Sequence, residues 1–167
     1  MSQSGSSATI YLCFGSVRGE AEVPGKVNKA PASGGWMKLT GCSFAGTSNY
    51  GTRFSQQVEG AGDTTPIQIT KLTDASSTGL FRDALVGSFN SNAVITFLRT
   101  GTHEPREYMR VELFSCGIVD FSIDSGGDDR SVERFGIRYG AMNVISWGYD
   151  AQGTPAGRAS ANIKSMA

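Results

Sequence analysis

Two stretches of this chain alternate apolar and polar residues with a period of two, and that pattern constrains the fold more than any other feature. In Tyr108–Asp124, Val111, Leu113, Ser115, Gly117, Val119, Phe121 and Ile123 share one parity. In Arg134–Asp150 the shared parity holds Phe135, Ile137, Tyr139, Ala141, Ile145, Trp147 and Tyr149, with Arg134, Arg138 and Ser146 opposite. A helix turns residues i and i+2 to different sides, whereas a strand turns them to the same side, so both stretches predict strands with one buried face. Seventeen residues is long for a single strand, which predicts a bulge or bend near Ser115–Gly117.

The rest of the chain fits around these strands. Ala93–Thr100 reads as the partner of the first one, joined through a turn at Gly101–Arg106 that contains Pro105. Ala8–Gly15 reads as a strand with Ile10, Leu12 and Phe14 on one face and Tyr11 and Cys13 on the other. A continuation through Ser16–Val23 would turn Arg18, Glu20 and Glu22 to solvent. Pro24–Gly35 is a loop by its Pro and Gly content. Trp36–Leu39 is a short strand, and Cys42–Tyr50 is a weaker one. Gly51–Thr64 is polar and glycine-rich and reads as a long surface loop carrying Arg53, Glu59 and Asp63. Thr65–Leu72 alternates Ile67 and Ile69 against Gln68 and Thr70. The sum is about eight strands, mostly antiparallel because their connections are short. At 167 residues the expectation is one domain over 9–157, with a flexible leader at 1–8 and a tail or edge segment at 158–167. A content of 22 glycines with 39% apolar residues suits a turn-rich β protein.

One helix interrupts this pattern, at about residues 77–87. Ser77 is the expected N-cap and Gly87 the expected left-handed residue that ends it. Leu80 with Ala84, and Phe81 with Leu85, form i,i+4 pairs on one face, the face expected to pack, while Arg82 and Asp83 point the other way. A helix of about ten residues is too short to stand alone and must dock on the sheet. The predicted fold is mainly β: an antiparallel β-barrel of two sheets with one flanking α-helix.

Chemistry is sparse. The 15 basic and 15 acidic residues balance, which argues against a nucleic-acid binder. No apolar run approaches the roughly 20 residues that span a bilayer, and MSQSGSSAT lacks the basic and apolar regions of a secretory signal. Cys13, Cys42 and Cys116 have neither even number nor metal-ligand spacing and read as buried thiols. The sole histidine, His103, sits in a polar turn with no orienting partner. Asp124, Asp128 and Asp129 lack calcium-loop spacing. Glu104, Glu107 and Glu112 lie along one hairpin with nothing to set two of them across a cleft. The residues point to no catalytic set, no metal and no cofactor.

Several segments carry a resemblance. The opening IYLCFGSVRGEAE, the GWMKL strand, ITKLTDASSTGLFRDALVGS, SGGDDRSVER and ERFGIRYGAMNVISWGYD together resemble the Hcp (haemolysin-coregulated protein) family of type VI secretion, in order and spacing from about Thr9 to Gly157. Proteins of this kind usually place proline after the serine pair; here Thr78 and Gly79 stand there, so the first helical turn lacks a pre-set φ and should fray more easily. The resemblance implies a hexameric ring of β-barrels. Such rings stack into an inner tube driven by a contractile sheath, capped by a VgrG-type spike and able to carry small effectors in the lumen. It implies a structural protein, made in the cytoplasm and secreted through the machine without a signal peptide. It also implies that the loop with Arg53, Glu59 and Asp63 reaches from one ring toward the next. The polar parity of the long strands would then face an aqueous lumen or the exterior. The competing readings are a small-ligand-binding barrel lined by Phe135, Tyr139 and Trp147, discriminated by interior volume, and a phage-type tail-tube subunit.

Overall fold

The computed structural model describes residues 8–23, 34–47, 63–99 and 104–164. Eleven strands and one helix lie within them: β1 (Ala8–Phe14), β2 (Met37–Leu39), β3 (Gly41–Ser43), β4 (Gly46–Thr47), β5 (Asp63–Thr64), β6 (Ile67–Leu72), α1 (Ser77–Val86), β7 (Ser91–Arg99), β8 (Arg106–Asp124), β9 (Val132–Arg138), β10 (Ala141–Tyr149) and β11 (Pro155–Lys164). All strand pairings are antiparallel.

The organising strand is β8. Its first half pairs with β7 on one side and β10 on the other, and its second half pairs with β9. One sheet therefore runs β2-β1-β7-β8-β10-β11 and a second runs β8-β9-β6-β3, with β4 and β5 forming a separate ribbon. The two sheets meet again where the chain passes from β2 to β3 through Thr40, whose N–H bonds the Thr70 carbonyl at 2.9 Å. The architecture is a barrel-like pair of antiparallel sheets whose hydrogen-bond ladder does not close among the described residues.

The expected bend lies where the residue pattern places it. Ser115 takes φ +53°, and between Ser91 and Ala93 the register on β8 advances from Cys116 to Leu113, one residue more than on β7. A second irregularity follows at Asp120, also φ +53°. These bulges twist β8 sharply enough to serve both sheets.

The stretch expected as one strand over 134–150 is two strands in different sheets. The chain corners at Tyr139–Gly140, where the Gly140 N–H bonds the Phe114 carbonyl at 2.9 Å. The corner breaks the shared parity. Phe135 and Ile137 face the core, but beyond the corner it is Met142 and Val144 that join it. Trp147 is half-buried away from it, so Phe135 and Trp147 do not line a common cavity. Phe135 instead stacks on Phe121 with centroids 5.7 Å apart, one of many side chains that fill the interior.

Inward residues of β1, β6, β7, β8 and β9 supply most of that core: Leu12 and Phe14, Ile67 and Ile69, Ile95 and Phe97, Val111 and Leu113, Ile118, and Phe135 and Ile137. The outer parity of the first sheet is buried as well. Tyr11, Cys13, Val94, Thr96, Leu98 and Ile145 are all at or below 5% exposed, and on the adjoining half of β8 the expectation that the polar parity of the long strands faces water fails at Arg110, which is buried. A polar cluster occupies that face. Thr96 donates to the Glu107 carboxylate, Arg110 Nε reaches the same Oε2 at 3.1 Å, and Asn143 Nδ2 donates to Glu112 at 3.2 Å.

Candidate functional site

The helix is set on the barrel by a capping arrangement one turn earlier than the serine pair suggests. Ser76, not Ser77, precedes the helix, and it makes no side-chain cap. Asp74 caps instead: its Oδ1 accepts the Ser76 N–H at 2.9 Å and the Ser76 hydroxyl, while its own N–H donates to Ser77 Oγ at 2.9 Å. This reciprocal exchange is the logic of a capping box with Asp and Ser in the two positions.

Asp74 is also part of a buried charge cluster. Lys71 sits at the inward parity of β6, following Ile67 and Ile69, and directly opposite Glu133 on β9. Both are fully buried. The ammonium donates to Glu133 Oε2 at 2.8 Å, Asp74 Oδ1 at 2.9 Å and the Leu72 carbonyl at 2.9 Å, which uses all three of its protons. Burial alone would raise the Asp74 carboxyl; the hydrogen bonds from Lys71 and Ser76, with the Lys71 charge, outweigh it and hold the group below its ordinary value. The cluster ties strand, cap and opposite sheet together at the helix entrance. An ionic residue at an inward strand position was the readable signal for it.

The packing face of the helix is narrower than the i,i+4 pairs imply. Leu80 is fully buried and Ala84 is half-buried against the core. Phe81 is 48% exposed, with its ring on Phe121 at 5.6 Å, and Leu85 is 68% exposed. The expected face of Leu80, Phe81, Ala84 and Leu85 is thus corrected to Leu80 and Ala84, with Phe81 at the margin. The cause is a rotation toward Asp83, which does not point outward: its Oδ2 accepts the Ile118 N–H at 3.1 Å and pins α1 over β8.

Gly87 ends the helix without a left-handed turn. It has φ −65° and ψ 149°, and its N–H bonds the Asp83 carbonyl at 2.7 Å. Glycine is needed there for room, because a Cβ would lie 2.3 Å from that same oxygen. The left-handed residue is Phe89, φ +53°, whose ring lies over Gly117 of β8. Phe81, Leu85, Val86 and Phe89 leave an exposed apolar stretch along the outside of α1 and its exit.

The second open surface is β11. All ten of its residues are exposed, and it pairs only with β10, so one ladder edge has no partner among the described residues. The C-terminal segment is therefore an edge strand through Lys164.

Of the loop residues singled out in the sequence, Arg53 and Glu59 lie outside the described residues, as does His103; Asp63 begins β5, paired with Thr47. Glu104, Glu107 and Glu112 do not converge: Glu107 is buried with Thr96 and Arg110, Glu112 bonds Asn143, and Glu104 is exposed at a rim. Asp124, Asp128 and Asp129 are exposed in or beside the turn before β9. Among the described residues no three acidic, cysteine or histidine side chains are grouped to hold a metal, and no helix is long and apolar enough to cross a membrane. None of the three cysteines is joined in a disulfide among the described residues; burial pushes Cys42 up to about 11 and Cys116 up to about 12.

The sequence and the fold match known proteins. A family model described as type VI secretion system effector, Hcp, matches residues 11–149. Among solved structures, a type six secretion system protein is similar with TM-score 0.76 and 16% identity, covering 95% of this chain and 96% of its own. Hcp1 from Salmonella typhimurium gives TM-score 0.68 at 15% identity, with 95% of each chain covered. The secreted protein Hcp3 from Pseudomonas aeruginosa gives TM-score 0.64 at 14% identity, covering 96% of this chain and all of its own. No curated protein matches at the level of sequence. The structural likenesses carry the fold at these identities, and the match over most of the sequence carries the family: this chain belongs to the Hcp family of type VI secretion.

Proposed function

We propose that the chain is a structural subunit of the type VI secretion inner tube, acting through assembly and not through catalysis. The family match over residues 11–149 carries this reading. The open edge of β11 and the uncovered apolar face of α1 support it, because both are surfaces a single copy leaves unsatisfied. Copies would join head to side and close by rotation into a hexameric ring, and rings would stack. The segment that includes Arg53, Glu59 and Asp63 would bridge one ring and the next. The partners are other copies of the chain, a VgrG-type spike, the contractile sheath and effector cargo carried in the lumen. The protein would be made in the cytoplasm and leave through the machine.

Multi-angle light scattering with negative-stain imaging tests the proposal. Six-copy rings at micromolar protein are the expected result. Monomers that stay monomeric as concentration rises would overturn it.

A further inference from the structure

We infer that the acidic turn between β8 and β9 of one copy docks in a basic groove beside α1 of the next copy. The inference rests on the assembly reading above and names two surfaces that meet in it. The groove runs between α1 and the segment that follows β1, and encloses about 540 Å³. Its floor is a close approach: a Cβ on Gly79 would stand 2.9 Å from Val17 Cγ1, so the absent side chain lets the two walls meet. Arg18 comes from one wall and Arg82 from the other, both exposed, and neither makes an ion pair among the described residues. Asp83 is the one carboxylate among the described residues that line the groove, and its Oδ2 already accepts the Ile118 N–H at 3.1 Å. Two guanidinium forks are left to face an incoming anionic group, and a fork of this kind fits a carboxylate with two parallel hydrogen bonds.

The turn supplies the matching charge. Residues 122–130 are all exposed, and Asp124, Asp128 and Asp129 make no ion pair among the described residues. The tip stands clear of the barrel: a Cβ on Gly126 or Gly127 would meet nothing within 4 Å. Other exposed acids are less available. Asp150 Oδ1 is taken by the Gln152 and Thr154 N–H groups, and Glu112 holds Asn143. The position of the helix explains why the partner is a second copy. Helix residues two apart lie about 200° round the axis from each other. Gly79 meets Val17 at the groove, whereas Phe81 meets Phe121, three residues before Asp124 on the strand that leads into the turn. Groove and turn therefore flank α1 on opposite sides, and a copy presents both at once without joining them. Two different surfaces that fit each other make a head-to-tail contact, the kind that closes into a ring when the rotation allows.

Charge reversal in the full chain tests it, read as mass by analytical ultracentrifugation at low ionic strength, where exposed charges act most strongly. Arg18→Glu with Arg82→Glu reverses the groove, and Asp128→Lys with Asp129→Lys reverses the turn; all four side chains are exposed. Each reversed chain should need at least about tenfold more protein than the parent to reach the same mass, because like charges then face each other. An equimolar mixture of the two should recover the parent's assembly, since each offers the other a matched turn and groove. A chain carrying all four changes should assemble alone. Urea midpoints check that the variants are folded, and recovery in the mixture requires that they are. If the parent assembles and either reversed chain assembles equally well, this inference is wrong and the assembly reading stands. Two defective chains that do not recover on mixing also rule it out, because the charges would then act elsewhere than on each other. A parent that stays monomeric throughout removes the assembly reading and this contact with it.

Discussion

Strands β7 and β11 are of similar length and lie in the same sheet, yet their environments are opposite. Six successive residues of β7, Ala93 to Leu98, are buried, so both of its faces are covered. All ten residues of β11 are exposed, so neither is. Their compositions follow: β7 reads SNAVITFLR and β11 reads PAGRASANIK. A strand buried on both faces needs apolar residues at both parities, and one covered on neither cannot hold its place by burial. What holds β11 is its ladder to β10 over nine register pairs. The difference separates the part of the chain that makes the fold from the part that the fold presents.

The largest expected effect lies on the fold-making side. Replacing Lys71 by Ala leaves Glu133 buried without its cation and removes a partner of the helix cap. The loss should be about 3–5 kcal/mol in urea unfolding, the range for breaking a buried pair from one side. Lys71→Met together with Glu133→Leu should recover most of it, because a matched apolar pair no longer strands a charge. A loss under 1 kcal/mol for Lys71→Ala would show that the cluster is not closed to water.

Next come two leucines one turn and a residue apart on α1. Leu80→Ala should cost about 2–5 kcal/mol as a buried truncation, and Leu85→Ala should stay within about 0.5 kcal/mol in the monomer. Phe81→Ala falls between them, at about 1–2 kcal/mol, since half of its surface is already in water. Equal losses at Leu80 and Leu85 would restore the wide packing face and refute the narrow one.

These contrasts also show how far the residues alone reach. Period-two alternation made β6 and β8 legible, and the bend at Ser115 followed from the length of β8. The corner at Tyr139–Gly140 was not legible, because alternation runs almost unbroken through it and only the tertiary pairing of β9 with β6 and of β10 with β8 reveals the change of sheet. The i,i+4 rule found the helix but could not set its rotation. That depends on Asp83 reaching the Ile118 N–H, a contact 35 residues away in sequence. At the helix entrance Ser77 was the plausible cap by type, yet Asp74 does the capping because Lys71 already holds its carboxylate in place. The exposed surfaces were legible only as polar composition; that β11 is a paired strand with an open edge needed the register.

A smaller effect is the acid limb of stability. Asp74 is held below its ordinary value of 3.8 in the folded protein. A depressed folded value means the carboxylate stabilises the fold fully above about 3.8 and loses that contribution as pH falls through the lower folded value. Asp74→Asn should therefore be less stable at neutral pH and show a shallower decline between pH 4 and 2, read as urea midpoint against pH. Parallel acid limbs in the two proteins would remove Asp74 from the cluster's charge balance.

The smallest effect on folding belongs to β11, and it tests the opening contrast most directly. Ala159 and Ala161 are exposed and face Ser146 and Val144 across the ladder. Changing both to lysine removes no buried contact, so each should shift the monomer's unfolding free energy by no more than about 0.5 kcal/mol. Charge along an edge strand opposes a second strand adding to it. If β11 is the surface presented to a neighbouring copy, the double variant should unfold like the parent and yet scatter light as a smaller particle. Loss of stability without change of mass would place β11 with β7, as a strand the fold itself depends on.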